Sequence, residues 1–206
     1  MSKTITRLYD DYADATAAVS ALEALGIPHG DISIVANNAH GRHGTDAHDG
    51  VNEDGDVSRG TSTGALLGGA GGLLAGLGLL AIPGLGPIVA AGWLAATAAG
   101  AGLGAVGGAA TGTIVGALKN AGHTDEEANV YSEGVRRGGT LVSAKVADSD
   151  VARAEATLDR SRTVDIAARG AAYRQTGWTG FDETAPAYTA DEVEREHGSN
   201  ATIARY

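Results

Sequence analysis

The stretch LLAIPGLGPIVAAG, residues 79–92, places a helix breaker in the middle of the longest charge-free run of the chain. Proline lacks a backbone N–H and clashes with the preceding turn, so no helix passes through PGLGP (83–87). The spacing on either side predicts two helical arms, at about 61–82 and 88–118, reaching roughly 33 Å and 46 Å at 1.5 Å per residue. No charged residue occurs between Arg59 and Lys119.

Within the first arm, Gly60, Gly64, Gly68, Gly72 and Gly76 recur every fourth residue. On a helical wheel they form a stripe, and Leu66, Leu73, Leu77 and Leu80 gather on nearly the opposite side. The second arm repeats the device with Gly100, Gly104, Gly108, Gly112 and Gly116, extended upstream by Ala96 and Gly92. Each glycine weakens a helix by about 1 kcal/mol relative to alanine. A solvated hairpin cannot recover that loss, whereas small residues four apart let two helix backbones pack closely. Residues 60–118 therefore read as a glycine-zipper helical hairpin covered by something else. One candidate is a lipid bilayer, for which the first arm is long enough at a core of about 30 Å. Arg59 and Lys119 at the hairpin ends suit a cytoplasmic side. The other candidate is a second copy of the chain in a soluble homo-oligomer.

Outside this run the chain is ordinary. Residues 1–37 read as β-α-β: TITRLY is a strand, and DATAAVSALEAL sets Ala15, Ala18, Val19, Leu22 and Leu25 on one helical face. DISIVAN is a second strand, with Ile32, Ile34 and Ala36 turned inward. Residues 38–59 form a polar, acidic linker with no apolar period. Residues 119–170 read as α-β-α-β. Thr124-Asp125-Glu126-Glu127 is a capping box, TLVSAKV alternates, SDVARAEATLDR is a helix capped by Asp148 or Ser149, and TVDIAAR is a fourth strand. Residues 171–206 are a polar tail with one short helix started by Thr189 and Glu192. Without 38–120, two β-α-β units remain. Together they predict an α+β fold, a split ferredoxin-like sandwich (βαβ…αβαβ) with two helices on one face, interrupted by the long Gly/Ala-rich hairpin.

The patterns TRLYDDYADA and GIPHGDISIVA, followed by a charge-free Gly/Ala block and a returning α-β-α-β, resemble bacterial general-stress proteins of the 17M-like type and cyanobacterial low-temperature-induced proteins. The resemblance spans about residues 3–170 and contains no catalytic motif. It implies a stress-linked, non-enzymatic protein.

Composition narrows the classes further. A net charge of −10 over 206 residues argues against general nucleic-acid binding. The absence of cysteine removes disulfides and thiol chemistry. MSKTITRLYDDYAD has no apolar signal region, so a cytoplasmic start is expected, either free in the cytoplasm or on the cytoplasmic side of the inner membrane.

The remaining candidates are weighed against plainer readings. His40, His43 and His48 with Asp46, Asp49, Glu53, Asp54 and Asp56 could bind a divalent metal, but Gly50 and Thr61 occupy calcium-loop ligand positions, and a solvated linker is favoured. GLGAVGG and GGAGG follow no strand and precede no Lys-Ser/Thr, so no nucleotide cofactor is expected. No catalytic triad is legible, and Asp10/Asp11 and Glu126/Glu127 sit where helix dipoles favour acids. Arg136 and Arg137 could meet phosphates or lipid headgroups, although cations in a last helical turn are ordinary. In the tail, Trp178, Phe181 and Tyr188 are expected to dock into a groove of the domain itself or of a neighbouring subunit.

Overall fold

A computed structural model of the protein describes residues 2–39, 41, 77–82, 84–97 and 114–203. Its centre is a five-stranded sheet in the order β1-β5-β2-β4-β3, with every neighbouring pair antiparallel. The strands are β1 (Ser2–Tyr9), β2 (Ile32–Asn37), β3 (Gly78–Ile82), β4 (Gly86–Gly92) and β5 (Thr140–Ala147). All six residues of β2 are buried, as a strand with neighbours on both edges and layers on both faces requires.

One face carries α1 (Tyr12–Ala24) and α4 (Val151–Leu158). Ile5, Ile32, Ile34, Val142, Ala144 and Val146 of the sheet pack there against Ala15, Ala18, Val19 and Leu22 of α1 and Ala154 and Leu158 of α4. The other face carries α2 (Ile114–Asn120) and α3 (Asp125–Arg136). Leu8, Val35, Ile88, Ala90 and Leu141 meet Ile114, Ala117, Leu118, Ala128, Tyr131 and Val135 on that side. The strand period of two thus sends alternate residues into two separate cores.

Local signals act as the sequence predicts at several termini. Asp11 caps α1 by accepting from the Ala13 N–H at 2.8 Å. Thr124 and Glu127 form the reciprocal capping box of α3, and Thr189 and Glu192 pair in the same way at the start of α6 (Ala190–Ile203). The N-cap position of α4 is Asp150, one or two residues beyond the expected Asp148 or Ser149, and its side chain makes no capping bond.

Three expectations are corrected. First, the expected helical arms are strands next to PGLGP: Gly78–Ile82 and Gly86–Gly92 pair as a β-hairpin and extend the sheet beyond β2. The Leu85 N–H donates to the Ile82 carbonyl at 3.0 Å, and Gly84 and Gly86 take φ of 76° and 77°. Pro-Gly is a turn signal as well as a helix stop, and Ile82, Ile88 and Val89 are β-branched residues that suit the strands it joins. Gly92 accordingly belongs to no helix stripe. It has φ 84°, and a Cβ there would run into the Ile32 carbonyl of β2, so it permits close backbone approach within the sheet.

Second, TVDIAAR is not a strand. Thr163 makes one isolated antiparallel bridge with Tyr9, and α5 (Ile166–Gln175) begins directly afterwards. The Asp165 carboxylate accepts from the Ala168 N–H at 2.9 Å, so a cap and a run of alanines override a short alternation. Third, helices cover both faces of the sheet where two on one face were expected.

Of the glycine-zipper residues, Gly116 lies half-buried in α2. Gly60, Gly64, Gly68, Gly72, Gly76, Gly100, Gly104, Gly108 and Gly112 lie outside the described residues, as does most of the acidic linker. Among the described residues no helix is long and apolar enough to cross a membrane.

Candidate functional site

Strands β1 and β2 run parallel to each other on either side of β5, and their carboxyl ends open into a cleft of about 510 Å3. Asp10 and Asp11 enter it from the β1–α1 turn, Asn37 from the end of β2, and Thr140 from the start of β5. Helix α6 forms the opposite wall with Val193, Glu194 and His197.

Most of these groups are held in place by neighbours. Arg169 of α5 grips the Asp10 carboxylate through two hydrogen bonds of 3.0 and 2.7 Å. Burial opposes the charge on Arg169, but Asp10 outweighs it and the guanidinium pKa is raised. Asn37 donates to the Arg136 carbonyl at 3.2 Å and accepts from the Ala39 N–H at 2.8 Å. Gly138, at φ 104°, leaves the room that α6 fills: a Cβ at this position would collide with Val193 and His197.

Two polar groups in the cleft are not answered. Thr140 is 2 % exposed, and its hydroxyl has no hydrogen-bond partner among the described residues. The Nε2 atom of His197 is buried and likewise unpartnered. A buried polar atom left single costs about 1–3 kcal/mol, a condition that His197 Nε2 shares with Arg136 Nε and the Tyr173 hydroxyl.

Beside the cleft, Arg136 and Arg137 turn away from any external anion. Both bind Glu133, which is 0 % exposed: Arg137 Nε at 2.7 Å from Oε1 and Arg136 Nη1 at 3.2 Å from Oε2. Arg137 continues to Glu196 of α6 at 3.2 Å and stacks on Tyr173, 4.1 Å from the ring centroid. Burial pushes the Tyr173 phenol up to about 12. Arg136 lies 4.9 Å over the ring of Tyr188 and donates to the Pro186 carbonyl at 3.1 Å.

The structure therefore places the tail aromatics on the chain's own domain. Tyr188 lies under the two arginines, and Trp178 meets Tyr173 edge-on at 5.6 Å. Phe181 packs against the α2/α3 core while its N–H donates to Asn129 Oδ1 at 2.9 Å. This path crosses the β3–β4 turn closely enough that a Cβ on Gly84 would lie 2.8 Å from the Glu183 Cα, and one on Gly86 would strike Ala187.

A second polar cluster joins residues far apart in sequence. Thr6 Oγ1 hydrogen-bonds His123 Nε2 at 2.7 Å and Ser143 Oγ at 3.0 Å, and Tyr131 donates to the Thr6 carbonyl at 3.0 Å. The Glu127 carboxylate lies 3.8 Å from the other ring nitrogen of His123. Hydroxyl, imidazole and carboxylate thus occur in series. Thr6 is 1 % exposed and Ser143 0 %, so the hydroxyls are core members with no route for a substrate. Burial lowers the pKa of His123, with Glu127 opposing and Arg7 adding to the shift.

Among the described residues no group of three or more His, Asp or Glu side chains is arranged to hold a metal ion, and the His40/His43/His48 loop lies almost wholly outside them. The α6 wall and Thr140 were missed by sequence reasoning. One signal pointed to them: a capping box that starts a real helix in the tail. Comparison of the chain with protein-family models, with characterised proteins and with solved structures finds no match.

Proposed function

We propose that this chain is a non-enzymatic, stress-associated scaffold that assembles with copies of itself through its glycine-rich segments, in or on a membrane. The observation that carries the reading is the β3–β4 hairpin. That hairpin lies at the edge of the sheet and, in sequence, between the charge-free glycine-rich segments 60–76 and 98–113. β3 is also an uncharged edge strand whose Leu79 is 59 % exposed, a surface open to pairing with another chain. The β1-α1-β2 and β5-α4 portions fit a ferredoxin-like ancestry in which the last strand has shrunk to the Tyr9–Thr163 bridge. The stress association rests on resemblance alone.

The decisive experiment is fractionation of wild type and of the double variant Gly68→Leu with Gly108→Leu. Wild type should sediment with carbonate-washed membranes, or run as a large homo-oligomer, and the bulky side chains should release it. A monodisperse monomer indifferent to both substitutions overturns the reading.

The cleft favours a second reading, of a soluble homo-oligomeric module that binds a small ligand and uses the glycine segments as its oligomer core. A soluble particle of fixed stoichiometry supports it over the membrane form.

A further inference from the structure

We propose that the cleft beneath α6 binds a small organic cation carrying an ammonium or guanidinium group. This rests on the second, ligand-binding reading and assigns the ligand's chemistry.

Charge gives the first argument. The acidic residues Asp10, Asp11 and Glu194 line the cleft, and no lysine or arginine does. Arg169 neutralises Asp10, but Asp11 and Glu194 have no ion-pair partner among the described residues. An anion is disfavoured even though the cleft lies at the start of α1. There the Ala13 N–H is already taken by Asp11, and Asp14 adds further negative charge.

Hydrogen bonding gives the second and independent argument. Thr140 lines the cleft and is almost completely buried, and its hydroxyl has no hydrogen-bond partner among the described residues. A ligand N–H can donate to it, while the carboxylates of Asp11 and Glu194 take its charge. Val193 and Tyr12 supply apolar wall for a short aliphatic stem. The volume matches small-molecule sites of roughly 300–1,000 Å3. A bare metal ion is a poor occupant, because among the described residues no three His, Asp or Glu side chains converge.

The test uses the full-length, 15N-labelled chain titrated with agmatine, with sorbitol as a neutral probe and inorganic phosphate as an anionic one. Agmatine should produce saturable amide shifts at Asp11, Gly138, Thr140 and Val193, with a Kd of about 0.1–1 mM at low salt. Phosphate should produce none. Glu194→Gln and Asp11→Asn should each weaken binding about tenfold, and the asparagine retains the helix cap. Thr140→Val should weaken binding about fivefold while Thr140→Ser, which keeps the hydroxyl, leaves it near wild type. Agmatine binding that none of these variants alters overturns the assignment. Saturable binding of sorbitol without agmatine overturns the cation and leaves the ligand-binding reading intact. If no probe shifts these amides at about 10 mM, both fall.

Discussion

The two faces of the sheet are built on different principles. Beneath α1 and α4 the sheet presents isoleucine, valine and alanine, and the polar atoms that intrude are few: Tyr9 hands its hydroxyl to the Leu158 carbonyl at 3.1 Å, and Thr140 stands at the cleft end. Beneath α2 and α3 the same strands contribute Thr6, Ser33 and Ser143 amid Leu8, Val35 and Leu141. Ser33 donates to the Ala91 carbonyl at 2.8 Å and accepts from the Leu94 N–H at 3.3 Å, tying the inserted hairpin to β2. One face relies on apolar burial, which has no preferred direction. The other adds bonds with fixed partners, which specify register and position.

The largest effect should come from opening a hole in the apolar face. Leu22→Ala removes a fully buried side chain from a layer with few polar groups to rearrange. A loss of about 2–5 kcal/mol is expected, read from the urea midpoint at unchanged slope. A loss below about 1 kcal/mol would mean that α1 collapses freely onto the sheet and that this face is less tightly packed than its burial implies.

The contrast also explains what was legible beforehand. Ala15, Ala18, Val19 and Leu22 follow the helical period, and Val142, Ala144 and Val146 the strand period, so pattern alone places them on the apolar face. The other face defeats pattern reading. Ser143 and Lys145 alternate with the apolar set as if both met solvent, and Lys145 does, 4.3 Å from the Trp93 ring centroid, yet Ser143 is buried in the Thr6–His123 cluster. Its cover includes His123, and the charge-free composition of residues 88–118 invited one long helical reading. Short apolar runs such as GLLAI and PIVAA do not distinguish helix from strand, and a proline between them marks a turn of either kind. The cleft was still less visible. Asp10, Thr140 and His197 share a site only after the sheet pairs β1 with β5 and α6 returns across Gly138. No local period encodes that meeting.

A smaller effect, about 1–3 kcal/mol, should follow Thr6→Val on the polar face. Valine fills the same space but leaves both His123 Nε2 and Ser143 Oγ without their partner. Ser143→Ala should cost less, about 1 kcal/mol, because Thr6 keeps its bond to His123. The double variant should be more stable than the sum of the single effects implies, since both substitutions remove the same Thr6–Ser143 bond. Strict additivity would show that the two hydroxyls act independently despite their 3.0 Å separation.

The smallest expected effect is confined to a pH window, and it again divides the faces. His123 has a lowered pKa, chiefly because burial disfavours its charged form, while Glu127 opposes and Arg7 reinforces that shift. Above the unfolded value of about 6.5 the ring is neutral in both states, and its contribution to folding is complete. As pH falls through 6.5 the unfolded chain takes up a proton that the folded chain refuses, so stability declines until the folded pKa is passed. His123→Gln retains hydrogen-bonding capacity toward Thr6 and cannot titrate. It should flatten the slope of stability against pH just below 6.5. The slope on the acid side of about 4.5 should remain, because that is where Glu127, whose pKa is lowered mainly by its bond to the Thr124 N–H, begins to lose its advantage. An unchanged slope between about 6.5 and 5 in His123→Gln would remove the imidazole from the polar core's energetics. The Thr6 hydroxyl would then be anchored by Ser143 alone.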